Sequence, residues 1–210
     1  MLQDRKKIYR AVAVLLQYPD RTLLRMVPDL VSYIGRMPAG KAKQAIAEFL
    51  GYLNSESLLR LQENYTAAFD MNPSTTLNMT FHLLGDGETR AAVMVLLQQS
   101  YHTAGFDGPA DDLPDFFPAM LEFLAICPPG TSVDLFWQCF ASLEGLVRRL
   151  QSSAPAYANL LELLNDDYRH WLHAVAPESC PGFLRFIESN GNQAHSRSIG
   201  NGGKGHEFCQ

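Results

Sequence analysis

The chain has 210 residues, 47% of them apolar, which is enough for one domain around one contiguous core. Its 22 acidic residues against 17 basic ones leave a formal charge of -5, so no phosphate-neutralising basic face is expected and nucleic acid drops out as a partner. Cys127, Cys139, Cys180 and Cys209 show no C-x-x-C spacing, which predicts reduced thiols in a cytoplasmic protein and excludes a zinc ribbon or a redox motif.

In chain order the periodicity is helical nearly throughout. Ile8, Val12, Leu15 and Leu16 form one stripe ending at Pro19. The apolar run from Ala11 to Leu16 is too short for a signal-peptide core, and nothing approaches the roughly 20 apolar residues that span a bilayer, so no direct membrane insertion is expected. Asp20 is placed to cap a second helix through about Ile34, which Pro28 should kink or split. Gly40 to Leu53 reads as a third helix, and Ser55 as the cap of a fourth, in which Leu58, Leu61, Tyr65 and Phe69 fall on one face.

That helix stops at Asp70, and a polar run containing Asn72, Pro73 and Ser74 follows. Next comes a strongly apolar helix over "TRAAVMVLLQQSYHTAG", with Gly105 at the left-handed closing position. "FDGPADDLPDFFP" is a turn-rich connection, and Pro118 opens a short helix closed by "CPPG". Thr131 and Asp134 make a capping-box pattern before "LFWQCFASLEGLVRRL", and Pro155 starts a last helix through Trp171 and Leu172. The expected fold is all-α, a single-domain helical bundle of about eight to ten helices over 1–188. From Ser189 the composition turns to Gly, Asn, Ser and His, which predicts a disordered C-terminal tail over 189–210.

Catalytic signatures are missing. "SIGNGGKG" has Ser198 where a phosphate loop needs its first Gly, and "GDGETR" lacks the strand and third Gly of a dinucleotide fingerprint. His170 and His173, near Asp166 and Asp167, share a helix but have no third ligand at a metal-binding spacing. No activated nucleophile is visible, so no enzyme is expected and no metal.

Charge is unevenly placed. Between Arg90 and Arg148 there is no Lys or Arg, while Asp107, Asp111, Asp112, Asp115, Glu122, Asp134 and Glu144 supply seven acids. Four of them lie beside Phe106, Phe116 and Phe117. Such a surface suits a partner that is both cationic and apolar, because carboxylates pair with Arg or Lys while rings bury an apolar face. A solvated, soluble loop is the plainer reading of the same residues.

"LLQYPD", "YTAAFD" at 65–70, "FHLLGDGETRAAVM" at 81–94 and "DDLPDFFPAMLEFLA" at 111–125, in this order, resemble the respiratory nitrate reductase delta subunit. That family is the molybdenum-cofactor assembly chaperone of the enzyme, among the redox-enzyme maturation chaperones of molybdoenzymes. The resemblance covers residues 10 to 175. It implies a groove for the leader peptide of the partner's catalytic subunit, formed by Tyr65, Phe69, Asp70, His82, Asp86, Arg90, Asp111, Asp112, Pro114, Asp115 and Phe116. Gly85, Leu113 and Pro118 belong to the same segments. Phe116 stands where members carry His, and Glu88 and Ala91 stand where the nitrate reductase type has Arg and Gly. The client is therefore the catalytic subunit of nitrate reductase or of another dimethyl sulfoxide reductase-superfamily enzyme, with molybdenum-cofactor biosynthesis proteins as further partners. Molybdopterin is expected to be handled indirectly, none being held stably; direct carriage through His82 and Arg90 is the alternative. A monomer or weak homodimer is expected. Locally, Asp70 is placed to cap the next turn or accept from Arg90, and Arg90 to pair with Asp86; Tyr65 and Phe69 read first as core residues, and His82 as a contact or a satisfied, partly buried histidine.

Overall fold

The computed structural model describes residues 2–108 and 112–174, and within them the chain is all-α. Asp111 and the tail expected over 189–210 lie outside the described residues.

Helix α1 (Leu2–Leu15) buries Val12 and Leu15, with Leu16 just beyond its end. The Asp20 carboxylate accepts from the Leu23 N–H at 2.7 Å and caps α2 (Arg21–Gly35). Pro28 does not split α2 as expected: it sits on the exposed face, where the carbonyl that loses its donor can turn to water. Helix α3 (Lys41–Ser55) runs through Ser55, whose hydroxyl donates to the Tyr52 carbonyl at 3.0 Å. Glu56 is extended, so the cap of α4 (Leu58–Tyr65) falls on Ser57, not Ser55, and accepts from the Arg60 N–H at 3.2 Å.

Helix α4 passes directly into a π-helical turn, Thr66–Asp70, closed by Met71 N–H to the Thr66 carbonyl at 2.9 Å. The wider turn lets Ala68 and Phe69, consecutive residues, both face the core. Asn72, rather than Asp70, caps the following short turn by accepting from the Ser74 N–H at 3.1 Å. Helices α5 (Phe81–Leu84) and α6 (Glu88–Thr103) follow, and Gly105 closes α6 at φ 72°, as expected.

Helix α7 (Phe117–Ile126) is apolar on nearly every side and buried on nearly every side, with Glu122 and Ile126 the exceptions. It is the central helix, and α1 lies along it. The single helix expected behind Thr131 is broken into α8 (Asp134–Cys139), a tight turn over 140–142, and α9 (Leu143–Ser153). Val133 precedes α8 and no side chain caps it; the Thr131 N–H instead donates to the Pro128 carbonyl at 3.2 Å. Helix α10 (Pro155–Ala174) packs on α9 and α3. From it Tyr157 reaches Phe49, Tyr65 and Phe69, with ring centroids 5.0, 6.1 and 4.9 Å away, tying α3 and the π turn to one core.

One non-helical joint positions the site. Met79 N–H donates to the Asp115 carbonyl at 3.1 Å and Phe117 N–H to the Leu77 carbonyl at 2.9 Å, so Asn78 and Phe116 form an antiparallel bridge. Among the described residues there is no strand longer than this bridge, and no helix long and apolar enough to cross a membrane.

Candidate functional site

The π turn and the joint together frame a cavity of about 250 Å³. Tyr65, Phe69 and Asp70 line it from one side; Asp112, Leu113 and Phe116 from the other; Thr76, Leu77 and Asn78 close it. Segments more than forty residues apart in sequence thus meet at one opening. Tyr65 is buried and donates its hydroxyl to the Leu16 carbonyl at 3.1 Å. Burial, reinforced by the Asp70 and Asp112 carboxylates, pushes its phenol well above the ordinary tyrosine range, so it stays neutral. Asp70 and Asp112 are exposed, as is Leu113 at 46%, so two carboxylates and one large apolar side chain lie at the mouth. The arrangement can receive a cation and an apolar group together.

Asp115, three residues after Asp112, has a different environment. It is 0% exposed. Its carboxylate accepts from the Thr80 N–H at 3.2 Å, from the Thr80 hydroxyl, and from the Arg90 guanidinium at 3.3 Å. Arg90 also donates to Asp86 at 3.0 Å and to the Thr80 hydroxyl at 3.1 Å, and its charged end lies 5.7 Å from the Phe81 ring centroid. The Pro114 carbonyl is held as well, by the Tyr101 hydroxyl at 2.9 Å. Asp115, Arg90 and Pro114 therefore hold the loop from behind, while Asp112 and Phe116 face the cavity.

Arg90 does not meet Asp70, as one reading of the sequence had it; its carboxylate partners are Asp86 and the buried Asp115. Asp86 is exposed and belongs to this cluster, not to the cavity lining. His82 donates from Nε2 to the Thr76 carbonyl at 2.8 Å, leaving Nδ1 to accept from Arg149 at 3.4 Å, a tautomer that follows from its partners. Burial lowers its pKa; the Thr76 hydrogen bond opposes this, the Arg149 charge assists it and Asp115 opposes it. Arg149 in turn donates to the Ser74 carbonyl at 2.5 Å. His82 and Arg149 thus staple the 74–76 wall of the cavity.

The structure separates the described acids of the stretch between Arg90 and Arg148, Asp111 lying outside the described residues. Asp112 lines the cavity, Asp115 is buried, Asp107 borders a different cavity along α6, and Glu144 is engaged by Arg148 at 3.5 Å and Arg169 at 3.6 Å. Glu122 and Asp134 are exposed on α7 and α8. The acid that joins Asp112 is Asp70, from outside the acidic stretch.

A phosphate-bearing pterin does not fit this cluster. Arg90 has Nε, NH1 and NH2 all engaged and a side chain only 12% exposed, both His82 ring nitrogens have partners, and Asp86 and Asp115 would repel an anion. Elsewhere, the His170 ring N–H donates to the Asp166 carbonyl at 2.8 Å, and no group of His, Cys, Asp and Glu among the described residues could hold a metal ion.

With this geometry in view, the likeness to known proteins is specific. Residues 37–134, which contain both walls of the cavity and the Arg90–Asp115 cluster, match the family described as nitrate reductase delta subunit. The nitrate reductase molybdenum cofactor assembly chaperone of Escherichia coli is 31% identical over 156 residues, 73% of this chain and 66% of that protein. The chain belongs to the nitrate reductase delta subunit family. A probable chaperone of the same description in Bacillus subtilis is 28% identical over 77% of this chain and 88% of its own length. A second probable chaperone of Escherichia coli is 27% identical over 92% of this chain and 89% of that protein.

Sequence reasoning missed several contributors within the family's segments. Thr80 is fully buried and links Asp115 to Arg90, and the Thr75 hydroxyl donates to the Ala68 carbonyl at 2.5 Å. The run "STTLNMT" offered a signal: three threonines and an Asn between apolar residues imply buried hydroxyls that need partners. Arg149 carried no such signal, because its partners lie on α5 and the 73–75 turn.

Proposed function

We propose that the protein is a non-catalytic assembly chaperone for a molybdoenzyme of the nitrate reductase type, and that it captures the basic, apolar N-terminal leader peptide of the catalytic subunit in the cytoplasm before cofactor is inserted. The chaperone role is supported by the relatives, which are known as nitrate reductase molybdenum cofactor assembly chaperones, and peptide capture by one observation above others: Asp70 and Asp112 line a single aromatic-walled cavity together with the exposed Leu113. A Lys or Arg of the peptide pairs with the two carboxylates while its apolar neighbours cover the mouth. The cofactor is handled indirectly, through the client held ready for loading.

Fluorescence anisotropy of a labelled leader peptide tests this. Neutralising either acid, Asp70→Asn or Asp112→Asn, removes one pairing at a partly solvated site, a loss of about 3–10-fold in affinity at low salt. Each also flattens the dependence of Kd on salt. Unchanged affinity and unchanged salt slope in both variants would place the peptide elsewhere.

A further inference from the structure

Helix α6 departs from a rule that α7 obeys. Residues Ala91 to Leu97 are apolar without interruption, so two full turns of α6 are apolar on every side. A helix of that kind is ordinarily buried all round, as α7 nearly is. Helix α6 buries Val93, Leu97 and Tyr101 but exposes Ala92, Val95, Leu96, Gln98 and Gln99, with Val95 at 52% and Leu96 at 45%. No Asp, Glu, Lys or Arg occurs between Arg90 and Asp107, so this outer face is also without formal charge.

Two grooves flank the face. The larger, of about 840 Å³, lies between α6 and α8 and has Leu96, Gln99, Thr103, Leu135 and Gln138 in its lining. The smaller, of about 480 Å³, extends toward Phe106. Gln99 and Thr103 line both, so they form a ridge with a groove on each side. Among the described residues no acid and no base lines the larger groove, and it shares no residue with the cavity of Asp70 and Asp112.

We propose that this face pairs two copies of the chain about a two-fold axis, the Gln99–Thr103 ridge of each seated in the larger groove of the other. Ridge in groove is the usual way helices pack, and a two-fold contact requires one surface to fit itself. Charge selects the occupant. A basic peptide has no carboxylate to pair with in the larger groove. Two copies at a formal charge of -5 each repel, so the contact of least cost is one without charge on either side. Gln98 and Gln99 carry amides that both donate and accept, so each can pair with the same residue of a second copy. The area fixes the strength. The charge-free stretch of α6 is about 20 Å long, and with its grooves about 20 Å wide, which covers about 400 Å² per copy. The total of about 800 Å² lies below the standard size of a stable interface, so the pairing is weak and reversible.

Sedimentation velocity of the full chain tests this without any peptide, so the outcome is independent of the proposed peptide site. From micromolar to near-millimolar protein the weight-average sedimentation coefficient should rise with concentration. Gln99→Glu and Gln99→Lys place like charges across the axis from an exposed position, and each should lower the association constant by about 100-fold with helical circular dichroism unchanged. An equal mixture of the two variants should recover association, because the charges across the axis are then opposite. Leu59→Glu, at a leucine 66% exposed on α4, should leave association as in the parent. A parent that sediments as a monomer throughout would overturn the proposal. So would association lost equally in Leu59→Glu, or a mixture no more associated than its components. A leader peptide that binds a monomeric parent and is lost in Gln99→Glu would assign the face to the client instead.

Discussion

Asp115→Asn is the substitution that tests the joint most directly. The change keeps the side chain's shape and one carbonyl oxygen but removes the charge and turns an amide N–H₂ toward donors. In the parent, three donor groups converge on this carboxylate, two from Thr80 and one from Arg90. Removing one partner of a buried ion pair costs about 3–5 kcal/mol, because the other charge is left without compensation. Asp115 is fully buried and the Arg90 side chain is 12% exposed, so water offers little relief. Asp86, 84% exposed, retains part of the Arg90 interaction, which places the cost toward the lower end, about 3–4 kcal/mol. With an m-value of about 2 kcal/mol/M, the urea midpoint should fall by about 1.5–2 M. In an Arg90→Met background the same substitution should be near neutral or stabilising, since there the buried Asp115 carboxylate is itself the uncompensated charge. A loss below about 0.5 kcal/mol for Asp115→Asn in the parent, or equal losses in the two backgrounds, would show that the pair does not hold the loop.

Tyr65→Phe removes the hydroxyl that donates to the Leu16 carbonyl, and equilibrium unfolding should show a loss of about 1 kcal/mol with helical content unchanged. Burial depresses the His82 pKa below its unfolded value of about 6.5, so the stability it contributes is present above that pH and declines as pH falls toward the folded value. Unfolding curves between pH 7.5 and 5 should therefore slope less in His82→Gln than in the parent. Burial, with the Asp115 carboxylate second, pushes the Cys139 thiol upward, so iodoacetamide should label Cys127 in the native protein and reach Cys139 only after denaturation.

Much of the helical frame was legible because its causes are local. Leu61, Tyr65 and Phe69 recur at helical spacing and are buried, Asp20 precedes an apolar period and caps it, and Gly105 takes a left-handed conformation that other residues resist. Errors arose where two local signals competed. Ser55 and Ser57 are both good caps, and the extended backbone at Glu56 decides between them. Thr131 and Asp134 have the capping-box spacing, yet the 128–131 turn uses the Thr131 N–H first. The site was legible only as a set of residues. Two of its segments, 65–70 and 112–116, do share a cavity, but nothing in the local pattern tells that Asp115 is turned inward while Asp112 is turned out. That difference comes from Thr80, thirty-five positions earlier, and from the bridge between Asn78 and Phe116.

On the proposed function Asp112 and Asp115 have separable tasks, although they stand in one short motif, and two measurements distinguish them. Neutralising an acid that meets a peptide cation removes an ion pair across the interface, so it changes both Kd and the dependence of Kd on salt. Neutralising the acid that holds the loop changes only the fraction of molecules whose cavity is assembled. The apparent Kd then rises by the inverse of that fraction, while the assembled molecules keep the parent's salt slope. Asp112→Asn should accordingly weaken binding and flatten the slope, with the urea midpoint falling by much less than in Asp115→Asn. Asp115→Asn should lower the midpoint, weaken binding only as far as the loop opens, and leave the slope as it was. If Asp115→Asn flattens the slope as much as Asp112→Asn does, the buried carboxylate is reaching the peptide, and the joint must open on binding.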